Sequence, residues 1–326
     1  METPSLNAVF SSRAMRRRYE VWFLRFALAD GSGAWWLRYL LLNLGRSCAG
    51  GCGGKFNFPG YPVQVWATWF PRGEAPQSFI AGFPQGDLAL SERFVSPFSL
   101  ECAGQQIGED SCRAAIEVGG HRISWDLRYT FSLAYSMSEK NWIGFSRTPH
   151  AAAVFSGRIT FDDRTWEAAP IGFGLQGHNC GYRHRRFWTW AHVLAPPPGE
   201  EQPSSFEALE YEIGLGFRFR RAILHHDGVT YDFGRLKSIE RTLDPFRWTV
   251  HCSRREDATT LVAILDGTGS SAHRLPYVKT NCSGTFEVTN NSLASAKLYL
   301  KRPGEGAVEL RTQNRSGGAV LEMSGK

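Results

Sequence analysis

Apolar and polar positions alternate along this chain in short runs, broken by turn-forming residues, which is the period of a half-buried β-strand. Tyr19–Leu28 and Ala34–Leu42 flank Asp30-Gly-Ser-Gly33, residues that tolerate positive φ, and together they read as a hairpin. Both arms are too densely apolar for one face to be wet. Either the hairpin is covered on both sides or one side lines an apolar cavity. Pro62–Phe70 alternates through Val63, Val65, Ala67 and Trp69, and His121–Phe131 alternates as cleanly. Shorter strands are expected at Gln77–Phe83, Arg93–Leu100, Ser111–Val118, Arg158–Phe161 and Thr165–Ala168. The second half continues with Arg186–Leu194, Phe206–Ile213, Phe217–His225 and Val229–Phe233, the last two joined by the turn Asp227-Gly228. Six more follow: Trp248–Ser253, Thr259–Leu265, Gly284–Val288, Lys297–Lys301, Ala307–Gln313 and Ala319–Met323. No segment sustains three turns of helical periodicity. The pattern therefore predicts an all-β protein of antiparallel sandwiches or barrels.

The length of 326 residues suits two domains of about 150 residues each. The expected division is a flexible N-terminus at 1–16, a first barrel at 17–170 and a second at 171–326, with the boundary near Glu167–Gly174. Arg46–Pro62 is a glycine-rich loop without the Lys-Ser/Thr ending of a phosphate grip. Pro196–Pro203 is a long connection, and Glu139-Lys-Asn-Trp142 reads as a tight bend.

Composition narrows the function. The chain carries 37 basic and 31 acidic residues for a net charge of +6. Most basic residues interleave with apolar ones, as in Phe217-Arg-Phe-Arg-Arg221, which is a solvated strand face. No nucleic-acid-binding signature accompanies the charge. The seven cysteines are irregularly spaced, and Cys48-x-x-x-Cys52 lacks a second pair, so they read as reduced thiols of a cytoplasmic protein. Arg16–Arg18 before an apolar run resembles an export signal, but Glu20 and Arg25 interrupt the run. Trp35–Leu44 holds Arg38 and is too short to span a bilayer.

The chemistry concentrates at Gly172–Gly181 and in Tyr182–His192 after it. On Phe187–His192 the strand period puts Trp188, Trp190 and His192 on one face, either a ligand wall or a core layer. His178 with Asn179 can move a proton or place a water, or can be a buried histidine holding a turn. Glu207, Glu210 and Glu212 lie on one strand, where a carboxyl in apolar surroundings could donate a proton. Asp126 reads as an exposed-face acid. No His/Cys/Asp grouping has metal spacing, and no nucleotide-binding pattern or nucleophile elbow occurs, so no cofactor is expected.

Several pieces together resemble the lipocalin-like superfamily of carotenoid hydratases, tocopherol-cyclase-like proteins and related bacterial proteins with two tandem calycin barrels. They are Tyr19-Glu20-Val-Trp22-Phe-Leu with Trp36-Leu-Arg38-Tyr39; Val65-Trp66-Ala67-Thr-Trp69-Phe70; and Gly174-x-x-x-His178-Asn179-x-Gly181 followed by Trp188-x-Trp190. Cys180 stands where the family usually has Trp, and Tyr211-Glu212 comes near the family's Tyr/Asp pair. The resemblance implies two consecutive lipocalin-like antiparallel β-barrels with an apolar ligand site inside one or between them.

The expected activity is hydration, cyclisation or isomerisation of a carbon–carbon double bond in an isoprenoid- or polyketide-like substrate, without cofactor. His178 or Glu212 would be the acid, Asn179 would place a water, and Trp22, Tyr182, Trp188, Trp190 and His192 would bind the substrate. The expected partner is a small lipophilic ligand, collected through a peripheral membrane contact, and not nucleic acid. The alternative is a non-catalytic lipid- or pigment-binding protein, favoured if none of His178, Glu210 and Glu212 faces the cavity.

Overall fold

In a computed structural model the described residues are 5–12, 18–44, 61–130, 133–140, 144–195, 204–280, 283–312 and 318–325. Cys48 and Cys52, Arg16 and Arg17, Asn141 and Trp142, the connection 196–203 and Cys282 lie outside them. The first part of the chain forms β1 (Tyr19–Leu28), β2 (Gly33–Leu42), β3 (Val63–Pro71), β4 (Gln77–Phe83), β5 (Leu88–Leu90), β6 (Ser99–Cys102), β7 (Gln105–Gly108), β8 (Ser111–Val118), β9 (His121–Thr130), β10 (Tyr135–Lys140), β11 (Gly144–Phe161) and β12 (Arg164–Gly181). The second forms β13 (Trp188–Ala195), β14 (Ser204–Gly214), β15 (Phe217–His226), β16 (Val229–Phe233), β17 (Arg235–Leu243), β18 (Phe246–Ser253), β19 (Thr260–Asp266), β20 (His273–Val278), β21 (Thr285–Lys301), β22 (Val308–Arg311) and β23 (Ala319–Ser324).

These make one 12-stranded and one 11-stranded antiparallel sheet, curled as a half-barrel and a nearly closed barrel. The fold class is thus all-β with two consecutive lipocalin-like units. The first sheet runs β4-β3-β2-β1-β12-β11-β9-β8-β7-β6-β5, and the second runs β16-β15-β14-β13-β23-β21-β19-β18-β17. Among the described residues no helix is long and apolar enough to cross a membrane.

Three details differ from the sequence reading. The sheets part after Gly181, not near residue 170, because β12 pairs with β1 along its whole C-terminal half, Gly181 opposite Tyr19 and Gly172 opposite Leu28. Two strands are longer than expected: β11 and β12 each run 18 residues, through stretches whose burial pattern changes midway and so breaks any single alternation. Within the expected flexible N-terminus, the described residues 5–12 are packed: Asn7, Ala8 and Val9 are buried. Of the cysteines, Cys102, Cys112, Cys180 and Cys252 are buried free thiols.

The doubly apolar first hairpin has a direct cause. Trp22, Leu24 and Phe26 point into the core of the first sheet, with Trp35, Leu37 and Tyr39 of β2 beside them. The alternate positions, among them Val21, Phe23 and Trp36, join a separate core that also takes Trp190, Leu209 and Tyr277 from the second sheet. The second sheet has its own interior around Phe206, Leu224, Trp248 and Leu298. The two curled sheets therefore pack outer face to outer face, and their central strands are buried on both sides. Polar side chains stitch this seam. Arg25 donates to the carbonyls of Ser292 and, at 2.8 Å, Ala319; Thr148 donates to Glu207 at 2.6 Å; Ser138 and Tyr211 share a hydrogen bond of 2.8 Å.

Candidate functional site

A cavity of about 370 Å³ opens within the seam, inside the usual range of ligand pockets. Its walls come from both sheets: Val21, Phe23 and Trp36 from the first, Trp188, Trp190 and Leu209 from the second. Tyr182 stands at the rim, 46% exposed, with the Arg18 guanidinium 4.2 Å from its ring centre.

Buried polar groups converge on this apolar chamber. Glu322, on β23, reaches it through a strand otherwise made of apolar and small residues. Its Oε1 accepts the Trp188 indole N–H at 2.8 Å, and its Oε2 accepts from Tyr277 at 3.2 Å and Asn290 at 3.4 Å. Burial raises its pKa above the ordinary carboxyl value, against the opposing charge of Arg38 and these donors. His184 stacks on Tyr19 with ring centres 4.1 Å apart. Burial, helped by the charge of Arg38, lowers its pKa to about 3, so it is neutral at pH 7. Asn179 lines the chamber with its Oδ1 unpartnered.

Asn179, Tyr182, Trp188 and Trp190 thus meet at the cavity, while four other predicted site residues do not line it. His178 is fully buried in the first sheet, its Nδ1 on the Leu6 carbonyl at 2.7 Å and its Nε2 on Glu20 at 2.9 Å. It stacks against Trp22, ring centres 4.5 Å apart. Of its two sequence readings, this is the histidine that holds a segment. Trp22 lies in the core of the first sheet and donates to the Asn7 carbonyl at 3.1 Å. His192 shares a face with the two tryptophans but is sealed in the seam against the Ala151 carbonyl at 2.8 Å, with its pKa lowered to about 3 by burial and the charge of Arg25. Glu212 is half-buried at the far end of β14. Glu210 is buried against Arg220 at 2.7 Å and Arg218 at 3.2 Å, and Asp126 is exposed.

The cavity carboxyl, Glu322, is not among the candidates the sequence motifs single out. Its signal was a single acid inside a run that is apolar on both faces, as Arg38 is the single base of β2.

Fold and site together define a lipocalin-like double-sheet protein with a polar-tipped apolar chamber between its sheets. No family model matches the chain, and no curated protein matches it in sequence. Among solved structures it is similar to CghA, solved with Sch210972 (9% identity, TM-score 0.56, covering 94% of this chain and 87% of that one). It is also similar to an AttH-like protein from Nitrosomonas europaea (12%, TM-score 0.54, 100% and 96%) and to kievitone hydratase from Nectria haematococca (8%, TM-score 0.54, 99% and 98%). At these identities the likeness establishes the shared fold.

Proposed function

We propose that the chamber is the active site of a cofactor-independent enzyme that moves a proton onto or off a carbon–carbon double bond of a lipophilic, isoprenoid- or polyketide-like substrate. The reaction would be hydration, cyclisation or isomerisation. The observation that carries this reading is Glu322, a buried carboxyl with a raised pKa that reaches an aromatic-walled cavity. Such a carboxyl keeps a proton at a pH where an exposed one has lost it. Transfer to the alkene leaves a cationic carbon, which the faces of Trp188, Trp190 and Tyr182 stabilise. Water held at Asn179, or a second double bond of the substrate, then adds to that carbon, and the released proton returns to the Glu322 carboxylate. None of His178, Glu210 and Glu212 lines the cavity, the outcome expected to favour a non-catalytic binder; the acid role falls instead to Glu322, a carboxyl outside that set that does line it. The hydratase name carried by one structural neighbour supports the same class of chemistry.

Glu322→Gln keeps the shape of the side chain and one of its two acceptor oxygens but removes the mobile proton. With a panel of isoprenoid and polyketide alkenes and products read by mass spectrometry, turnover should fall about 10²–10⁴-fold while binding persists. Binding without turnover in the wild type would instead support a non-catalytic lipid or pigment binder. Turnover unchanged in Glu322→Gln would remove the carboxyl from the mechanism.

A further inference from the structure

The same chamber holds a buried cation, Arg38, that has no ion-pair partner among the described residues. Arg38 lies on the seam face of β2 and is 5% exposed. Its Nε and Nη1 are buried without a hydrogen-bond partner. Among the described residues no carboxylate lies within ion-pair distance of it. Its guanidinium sits over the rings of Tyr277 at 4.4 Å, Trp66 at 4.7 Å and Trp36 at 5.1 Å. These faces offset part of the cost of burying the charge, but they accept no conventional hydrogen bond. Two positions along the same strand face, the Trp36 indole N–H also lines the chamber unpartnered. Glu322 lies near enough to feel the charge of Arg38 but makes no ion pair with it: its oxygens accept from Trp188, Tyr277 and Asn290.

Buried donors without partners are rare in folded proteins, and a fork of guanidinium N–H groups matches a planar pair of oxygens. We infer that Arg38 and the Trp36 indole form a preformed oxyanion site, and that the ligand of this chamber is an amphiphile: a hydrocarbon body ending in a planar, delocalised oxyanion, either a carboxylate or an enolised 1,3-dicarbonyl. The oxyanion seats on Arg38, and the hydrocarbon lies against Phe23, Trp188 and Trp190. A wholly hydrocarbon ligand such as an unfunctionalised polyene leaves the guanidinium bare. This inference rests on the reading of the chamber as a ligand site and names the substrate class for it.

The test compares decanoate with decanol, which share a chain and differ in the head group, by titration calorimetry at pH 7.5. Decanoate should bind at least about tenfold more tightly, as charge-assisted hydrogen bonds are stronger than neutral ones. Arg38→Met should abolish that preference and leave decanol affinity unchanged. Arg38→Lys, a point charge without the fork, should keep only part of it. Equal affinity of wild-type protein for the two probes, or a preference that survives Arg38→Met, overturns the oxyanion site while leaving the chamber as a ligand site. Binding of neither probe overturns both. Should Arg38→Met fail to fold, the wild-type comparison still decides, together with Trp36→Phe, which should weaken decanoate and not decanol.

Discussion

Glu20 and His178 are 158 residues apart in sequence and 2.9 Å apart in space. Glu20 also accepts the backbone N–H groups of Phe10 at 2.8 Å and Ser11 at 2.6 Å. Burial pushes its pKa up, but the bonds and charge of His178 with those of Ser11 and Phe10 outweigh it and hold the carboxyl below its usual value of 4.5. The sign follows: this carboxylate contributes stability that is present above about pH 4.5 and lost as pH falls through the lower folded value. Urea midpoints measured from pH 7 to 3 should drop in the wild type over that window, and Glu20→Gln should lack that part of the drop. His178→Ala leaves the carboxylate buried and unpaired, at a cost of about 3–5 kcal/mol. It should also open residues 5–12 to limited proteolysis, because the Leu6 carbonyl loses its donor. None of this was legible from the motif His178-Asn179. Spacing along the chain carries no record of a partner on another strand, so the residue types were visible and their roles were not. Arg38 and Glu322 were equally visible as charges in apolar runs, and only the third core explains why they are there.

At the scale of elements, short hairpins read well because turn and register are both local: β1–β2, β8–β9 and β15–β16 match their expected spans closely. The expected strand Arg93–Leu100 gives way to Ser99–Cys102; β17 escapes the sequence because it is mostly exposed and alternates weakly, and β20 because it carries Pro276 within four successive buried residues, which leaves no alternation. The glycines of β12 now have a reason. A Cβ at Gly174 would strike the Arg25 carbonyl and one at Gly177 the Phe23 ring, so β12 lies flat on β1 only without side chains there. The β14–β15 hairpin bears on the expected membrane contact. Its tip exposes Leu215 at 98%, Phe217 at 71% and Ile213 at 44%, followed by Arg218 and Arg220. Its base stacks Phe219 on Tyr211 of the cavity wall, ring centres 4.9 Å apart. An apolar tip with basic flanks suits an anionic bilayer surface. Co-sedimentation should show binding to anionic but not zwitterionic vesicles. Leu215→Ser with Phe217→Ser should abolish it, since each side chain contributes about 1.5–3 kcal/mol when buried. Equal binding by wild type and double variant would move the contact elsewhere.

For the whole molecule, the shared seam predicts joint unfolding. Trp66 is fully buried there, bonded to Gln64 at 3.0 Å and packed edge-on against Tyr277 across the sheets, centres 5.6 Å apart. If the halves were independent, denaturation would resolve two steps. With a common core, tryptophan fluorescence and far-ultraviolet circular dichroism should follow one coincident transition. Trp66→Ala, which empties the seam, should lower stability by about 3–5 kcal/mol and begin to separate the two signals.

The chamber is built from the outsides of two sheets, and so neither sheet owns it. Arg38 sits on the second strand and Glu322 on the last one described. During synthesis the first sheet can close its interior while Glu322 has yet to be made. Until then its tryptophan-rich back stands open to water, in need of shelter by a chaperone or by the emerging second half.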